Sequence, residues 1–209
     1  MVQAVNASVR GPYRKGIERR EAILAAAGQV FGEFGYHGAS LRTIAGKVGT
    51  TSASLLQHFG SKKGLLAAVL DDWDAQTGRI ADDNLRGLDY FESLRGVMRY
   101  HLSHRGLVEL FLTMAAESSS PSHPARDYIA QRYVTITEIS VKHLQEACDL
   151  EQIAPLTKEE MVKEVHRLFA FMDGLELHWL NDPTVDLVGL FDVHLALTIA
   201  HWKAPLENR

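Results

Sequence analysis

The sequence has few of the features that mark exported and membrane proteins. Its single cysteine, Cys148, has no second cysteine in the chain to pair with, which suits a reducing compartment. No apolar run approaches the roughly 20 residues that a membrane span needs. The first 16 residues also lack the apolar core of a signal peptide. We therefore expect a cytoplasmic protein without a membrane partner.

Signatures of catalysis and of metal binding are missing as well. The Gly-x-Ser-x-Gly, P-loop, dinucleotide-binding and His-Glu-x-x-His patterns do not occur. Ten histidines are present, but they are scattered, and the pair formed by His101 and His104 has no third ligand at zinc spacing. These absences predict a protein that is not an enzyme and that holds no metal and no cofactor.

Alternating strand patterns are absent, whereas apolar residues recur at helical spacing along nearly the whole chain. Gly35, Gly49 and Gly60 mark helix ends, and Ser40 and Thr51 are suited to begin helices. The pattern predicts an all-α fold of about nine helices. We place eight of them at 17–34, 40–48, 51–59, 91–104, 107–117, 124–148, 157–181 and 186–201. The remaining helix, the fourth along the chain, begins at residue 61 and extends past residue 73.

Charge is divided unevenly along the chain. Residues 1–64 carry nine basic and three acidic side chains, a net of +6, whereas residues 65–209 carry 13 and 23, a net of −10. Phosphate contacts need clustered Lys and Arg, so the positive end suggests that it binds a polyanion. Residues 1–16, with Arg10, Arg14 and Lys15, predict a flexible basic arm, which either follows a DNA minor groove or is only a solubilising tail.

Two short predicted helices joined at Gly49-Thr50-Thr51 match the plan of a helix-turn-helix, whose second helix enters the major groove of DNA. Gly49 can adopt the left-handed conformation of the turn. Leu55 and Phe59 lie four residues apart and are expected to face the core. A plain helical hairpin with a polar surface has the same pattern. The side chains turned outward, suited to base edges and phosphates, are Thr51, Ser52, Ser54, Gln57 and His58.

The motif lies in a stretch, from about Ile17 to Leu70, that contains Gly35-Tyr36-His37-Gly38-Ala39-Ser40-Leu41-Arg42-Thr43-Ile44-Ala45, then Val48-Gly49 and Leu55, and then His58-Phe59-Gly60-Ser61-Lys62 with Leu65-Leu66. In this ordered combination the stretch resembles the DNA-binding domain of the TetR family of transcriptional regulators. Toward the other end, Met172-Asp173-Gly174-Leu175 to Trp179-Leu180 with Asp182-Pro183 is similar to the usual penultimate helix of that family.

The resemblance implies phosphate contacts for Thr43 and Lys62. An ammonium at a helix N-terminus also favours an anion on physical grounds. Three positions depart from the family pattern. Leu56 replaces an aromatic residue, which removes a hydroxyl and offers an apolar contact to a thymine methyl group. Thr50 replaces valine, and Gly64 replaces a capping glutamate, which is expected to weaken that helix start. The further DNA contacts implied are Thr51, Ser52, Ser54, Gln57 and His58.

We expect three parts: the arm at 1–16, a three-helix helix-turn-helix DNA-binding domain at 17–64, and a helical ligand-binding and dimerisation domain at 65–209. The resemblance implies a ligand pocket within 85–180 whose occupancy changes the spacing of two DNA-binding domains. The residues suited to line it also fit a plain core. They are Met98, His101, Leu102, Phe111, Met114, Tyr128, Phe169 and Met172, with Glu117 to orient a polar group.

A single recognition helix reads few base pairs, so two copies on neighbouring half-sites are expected. The last two predicted helices carry apolar stripes that fit either a four-helix interface between subunits or the core of one subunit. The predicted interface residues are Phe169, Trp179, Leu187, Phe191, His194, Leu195 and Thr198.

Together these features predict a ligand-responsive repressor that binds double-stranded DNA at an inverted repeat, as a homodimer, and is released by a small-molecule effector. Two alternatives stay open. One is a helical small-molecule-binding protein or enzyme with a vestigial helix-turn-helix. The other is a DNA-binding regulator controlled by a partner protein.

Overall fold

The computed structural model describes residues 12–82 and 84–204. Within these ranges the chain forms nine α-helices and no β-strand, so the all-α prediction is confirmed. No helix of the described ranges has both the length and the apolar character that crossing a bilayer requires. The helices are α1 (Pro12–Gly38), α2 (Leu41–Lys47), α3 (Ser52–Phe59), α4 (Lys62–Ile80), α5 (Leu88–Ser103), α6 (Arg105–Glu117), α7 (Arg126–Asp149), α8 (Lys158–Asn181) and α9 (Leu187–Lys203).

The first helix begins earlier than the sequence pattern predicted. Residues 12–16 of the predicted flexible arm belong to α1, with Arg14 and Lys15 exposed on its first turns. Residues 1–11, including Arg10, lie outside the described residues. The predicted stop at Gly35 is a break within α1, where φ is 65° and ψ is 177°.

The short helices begin where a side-chain oxygen accepts a backbone N–H. Ser40, Thr51 and Ser61 accept in this way at 3.1, 3.1 and 2.9 Å. The last of these N–H groups belongs to Gly64, where a β-carbon would overlap the carbonyl oxygen of Phe59. The first turn of α4 therefore requires glycine, and the serine cap holds the helix start that the missing glutamate was expected to weaken.

Two hydrophobic cores form, and three helices, α4, α6 and α7, contribute to both. The first core joins α1–α3, which we call the head (residues 12–59), to Leu65 and Leu66 of α4 and to Leu110 and Met114 of α6. The second core fills the body (residues 88–203) and includes Trp73 of α4. The head core thus continues beyond residue 64, and the domain boundary at 64/65 stays a prediction.

Contact between α1 and α6 is close enough to require glycine. A β-carbon on Gly32 would lie 3.0 Å from the carbonyl oxygen of Gly106 and 3.2 Å from the backbone nitrogen of Leu110. Both neighbours are backbone atoms, which cannot move aside as a flexible side chain can. The helix that leads to the DNA-binding motif is therefore packed directly onto the backbone of a body helix.

Candidate nucleic-acid interface and ligand cavity

The helix-turn-helix forms as its sequence predicts. Gly49 adopts the left-handed conformation, with φ at 63°, and the Thr50 N–H donates to the carbonyl oxygen of Ala45 at 2.9 Å. Leu55 is buried and fixes α3 on the head core. The outward side of the motif carries Thr43, Thr51, Leu56, Gln57 and His58, which are exposed, and Ser52 and Ser54, which are half-buried.

One threonine hydroxyl of this surface combines capping with a free donor. Thr51 Oγ1 accepts the Ser54 N–H at 3.1 Å. A hydroxyl that accepts one hydrogen bond still has its own O–H to donate. Phosphate oxygens only accept, so this cap can contact a phosphate without giving up the helix start. The Thr43 hydroxyl lies 2.8 Å from Ser40 Oγ, and either oxygen can be the donor in that pair.

Two of the basic side chains of the head make contacts with other residues of the head. The Arg19 guanidinium donates to Thr50 Oγ1 at 2.8 Å, and the Arg20 guanidinium lies 5.5 Å from the centre of the Phe59 ring. Both arginines are themselves exposed. The other exposed cations are Arg14, Lys15, Arg42, Lys47 and Lys63, the last three of which the motif analysis did not single out.

Lys62 is half-buried at the start of α4. Its Nζ donates to the carbonyl oxygen of His37 at 3.4 Å and lies 4.7 Å from the centre of the Tyr36 ring. Burial lowers the pKa of Lys62, and the nearby carboxylate of Glu117 acts in the opposite direction. The ammonium therefore has protein partners, unlike that of the neighbouring Lys63, which is exposed.

Replacing Lys62 by glutamine is expected to weaken binding to all DNA sequences and to flatten the salt dependence of log K by about one unit. The reason is that one phosphate contact, and the counterion it releases, is lost. Anisotropy titrations across a salt series measure the slope. Lys63→Gln is the matched control. If only the Lys63 variant changes the slope, the phosphate contact belongs to Lys63.

Glu117, predicted to orient a ligand, lies instead at the junction of head and body. Its Oε2 accepts the Tyr36 N–H at 3.2 Å and lies 3.1 Å from His123 Nε2. The Ala125 N–H donates to His123 Nδ1 at 3.2 Å, so the proton of the neutral ring sits on Nε2 and points at Glu117. The side chain is held away from the pocket because its hydrogen bonds join the end of α6 to the break in α1.

The body contains a cavity of about 680 Å³ between α4, α5, α6, α7 and α8. Its volume is in the range that holds a drug-sized molecule. Ligand binding stays a prediction for the five proposed residues that line it: His101, Phe111, Tyr128, Phe169 and Met172.

The other proposed ligand residues do not line this cavity. Met98 and Met114 are fully buried in the two cores, and Leu102 is exposed on α5. Together with Glu117, these four are corrections to the predicted set. Helical spacing places a residue on a face, but it does not say whether that face meets a neighbouring helix, a cavity or solvent.

Polar pairs that the sequence did not reveal stand in the cavity wall. Asp74 accepts a hydrogen bond from Arg132 Nε at 2.6 Å and another from the Tyr128 hydroxyl at 2.7 Å. Burial, together with the hydrogen bond to Asp74, raises the pKa of Tyr128. Deeper in, His101 Nδ1 lies 2.5 Å from Glu176 Oε1, and both side chains are buried.

Among the described residues, no group of three or more His, Cys, Asp or Glu side chains is placed to hold a metal ion.

Asp173 is a half-buried acid of the wall, and it accepts the Tyr133 hydroxyl at 2.8 Å. Burial raises the pKa of Asp173. The folded state therefore holds this proton more tightly than the unfolded state, and stability falls as pH rises from the unfolded pKa, near 4, through the folded one.

Asp173→Asn is thus expected to raise the melting temperature at pH 7, by about 2–4 °C for each kcal/mol gained, and to lose this advantage below about pH 4. Thermal melts of both proteins across pH measure it. Asp182 is an opposite-sign control, because hydrogen bonds from Thr184 lower its pKa. Asp182→Asn should lower stability at neutral pH. An Asp173 variant that melts below the parent at pH 7 would contradict the assignment.

The predicted dimer residues Trp179, Leu187, Phe191 and Leu195 are buried in the core of their own subunit, which corrects that prediction. Phe169 lines the cavity, Thr198 is half-buried, and His194 stacks on Phe171 with ring centres 3.6 Å apart. Helix α9 is apolar on nearly all sides, so the inward stripe could not be told from the outward one. The outward stripe of α8 and α9, which we call the apolar face, consists of Leu177, Leu190, Val193 and Leu197.

These features define a class of protein. A helix-turn-helix with exposed hydrogen-bonding side chains lies at the positive end of an all-α chain, whose body holds a mostly apolar cavity. The class is that of helix-turn-helix DNA-binding regulators.

Comparison with known proteins places the chain within this class. Residues 23–69 match the family model for bacterial regulatory proteins of the tetR family. The transcriptional activator FasR of Mycolicibacterium smegmatis is 30% identical over 174 residues, which cover 79% of this chain and 74% of FasR. The repressor KstR2 of Rhodococcus jostii is 30% identical over 128 residues, 60% of this chain and 52% of KstR2. The chain belongs to the TetR family of transcriptional regulators.

A solved structure shows the same fold. SmeT, the repressor of the Stenotrophomonas maltophilia multidrug efflux pump SmeDEF, has been solved in complex with triclosan. That complex aligns with a TM-score of 0.73 at 20% identity and covers 90% of this chain and 93% of SmeT.

Proposed function

We propose that this chain is a repressor that binds an inverted-repeat operator as a homodimer and releases it when a small molecule enters the body cavity. The observation that carries the proposal is that α4 and α6 contribute both to the cavity wall and to the head core. Trp73 of α4 and Phe111 of α6 line the cavity, while Leu66 and Met114 of the same helices pack in the head core.

The coupling follows from this shared packing. A ligand that prefers a cavity with α4 displaced shifts the population of conformers toward that arrangement. Because α4 and α6 are packed against the head, such a shift moves the head relative to the body. In a dimer, it changes the distance between the two recognition helices. Ligand and operator then weaken each other's binding by the same coupling free energy. The triclosan complex of SmeT, which shares this fold, supports a small-molecule effector.

We assign residues 17–64 to DNA binding and 65–209 to ligand binding and dimerisation. Arg14 and Lys15 add positive charge beside the motif. The side chains proposed to contact DNA are Thr43, Thr51, Ser52, Ser54, Leu56, Gln57, His58 and Lys62.

Leu56 gives this surface an apolar contact of its own. It is an exposed leucine in the middle of α3, between the polar groups that face outward. Replacing the contacted thymine by uracil removes only the methyl group, and it should weaken operator binding by about three- to fivefold, roughly the value of one buried methyl. Titrations with uracil placed at each operator position measure it. The Leu56→Ala variant should be indifferent to the change, and a variant that keeps the full thymine preference would contradict the contact.

Dimerisation is proposed through the apolar face. Four large exposed aliphatic side chains on two neighbouring helices are costly to leave in water, and a second copy of the same face would cover them symmetrically. The resulting four-helix interface would fix the separation of the two heads.

Selection from a random DNA pool at near-physiological salt tests the proposal. Recovery of an inverted repeat supports symmetric, specific recognition, and the operator then serves to screen small molecules for release. Recovery of no motif, with only salt-sensitive binding, would favour a vestigial helix-turn-helix. A specific operator that no compound releases would instead favour control by a partner protein. The cavity of about 680 Å³ favours a small-molecule effector over such a partner.

A further inference from the structure

The charges that surround the cavity are mostly negative. Asp71 and Asp127 are exposed where α4 and α7 approach each other, so the outer part of the cavity is acidic. Farther in, Asp74, Asp173 and Glu176 add three more carboxyl groups. An anionic ligand would therefore meet carboxylates both at the entrance and in the interior.

The lining residues of the cavity offer an anion no unpaired cation. Among the described residues, Arg132 is the one Lys or Arg side chain of the lining. Its Nε is bound to Asp74 at 2.6 Å, and its guanidinium lies 4.3 Å from the centre of the Phe111 ring. The His101 ring faces Glu176 through Nδ1. Burial of an unpaired carboxylate or phosphate in such a site is strongly unfavourable. The cavity chemistry thus disfavours acids.

Two buried polar atoms, on side chains that line the cavity, are left without a protein partner. Within the described ranges, neither Trp73 Nε1 nor His101 Nε2 makes a hydrogen bond, although the two side chains are only 3% and 5% exposed. Their rings stack with centres 4.7 Å apart, so the two nitrogens belong to one small region of the wall. A buried polar group without a partner costs free energy that a suitable ligand can recover.

The hydrogen-bonding roles of these two atoms differ. An indole N–H can only donate. The carboxylate of Glu176 accepts, so His101 Nδ1 donates to it, and in the neutral ring Nε2 is then an acceptor. The pair therefore offers one donor and one acceptor on two stacked rings. A hydroxyl group matches both, because its oxygen accepts from the indole while its O–H donates to the imidazole.

We propose that the effector is an uncharged, largely apolar molecule that carries a hydroxyl group, and that Trp73 and His101 bind this hydroxyl. The inference rests on the proposed function, since it names the ligand class of the same cavity. The remaining wall, from Tyr90, Leu94, Val97, Phe111 and Ile139, holds the apolar part of the molecule.

The test uses three probes of one shape: para-hexylphenol, its methyl ether and para-hexylbenzoate. Titration calorimetry with the full-length protein, without DNA, should show binding of the phenol. The methyl ether cannot donate to His101 and should bind about tenfold more weakly. The benzoate should bind on the order of a hundredfold more weakly.

Variants test the two anchors separately. Trp73→Phe keeps the aromatic stacking and removes the N–H, and it should weaken phenol binding about three- to tenfold. His101→Asn keeps a donor near the position of Nδ1 for Glu176 and removes Nε2, so it should bind phenol and ether with nearly equal affinity. Trp179→Phe and His104→Asn are matched controls outside the cavity, and both should bind the phenol as the parent does.

Three results would overturn the inference: no binding of the phenol, equal or tighter binding of the ether or the benzoate, or phenol binding that neither anchor variant weakens. The proposed function fails by a different measurement. If the phenol binds with the expected preferences but the selected operator is not released, the ligand class stands and the effector-controlled repressor does not. If another compound releases the operator while the phenol does not bind, the repressor stands and the ligand class does not.

Discussion

Replacing Val193 and Leu197 together by aspartate is expected to convert the proposed dimer to a monomer and to reduce operator affinity by on the order of a hundredfold or more. These two side chains are the most exposed of the apolar face, at 60% and 66%. In a symmetric interface each substitution occurs twice, so four buried carboxylates would replace four aliphatic contacts. Without the partner, each head binds its half-site alone, and the gain from linked binding is lost.

The same substitution elsewhere provides the control. Leu102 is also a large aliphatic residue, 49% exposed, but it lies on α5 and outside the apolar face. Leu102→Asp should leave both the dimer and the operator affinity unchanged. Analytical ultracentrifugation and anisotropy titrations on the selected operator measure the two effects. A double variant that sediments as a dimer would move the interface away from α8 and α9.

Gly32→Ala is expected to lower the free energy of unfolding by about 1–3 kcal/mol. A single methyl group is enough, because it would meet the backbone of α6 at Gly106 and Leu110. Helix propensity acts in the opposite direction and favours alanine over glycine by about 1 kcal/mol. The expected loss in the free energy of unfolding is therefore a net value: the cost of the steric contact minus the gain in helix propensity.

Gly46 isolates the effect of packing. It lies within α2, where a β-carbon would meet nothing within 4 Å. Gly46→Ala should therefore raise the free energy of unfolding by up to about 1 kcal/mol. Urea unfolding at one fixed protein concentration measures both variants, because the stability of a dimer depends on concentration. If the two substitutions shift stability in the same direction, the approach of α1 and α6 is not as close as described.

The sequence predicted the helices and the helix-turn-helix because both depend on local signals. Periodicity, the caps at Ser40 and Thr51 and the glycine turns act over a few residues, and the structure reproduces them. The cavity chemistry depends on distant pairs instead. His101 and Glu176 are 75 residues apart in the chain, and Asp74 and Arg132 are 58 apart, so no local pattern could join them.

The apolar face shows a different limit of prediction. On an amphipathic helix the polar side marks the solvent, but Leu190, Val193 and Leu197 share α9 with the buried Phe191 and Leu195. With apolar residues on both sides, only the packed structure reveals which stripe is left over. Glu117 was misplaced for a related reason, since its partners come from the break in α1 and from the loop after α6.

The sharing of α4 and α6 between the two cores limits how this protein can be recombined. A chimera joined at residue 64/65 would separate Leu65, Leu66, Leu110 and Met114 from the head residues that they cover. The head is thus not a portable module, and a graft that changes operator preference should exchange only the outer side chains of α2 and α3. Natural variation is subject to the same constraint. The exposed side chains of α2 and α3 can diverge freely, whereas the head residues that pack on α4 and α6 must change together with the body.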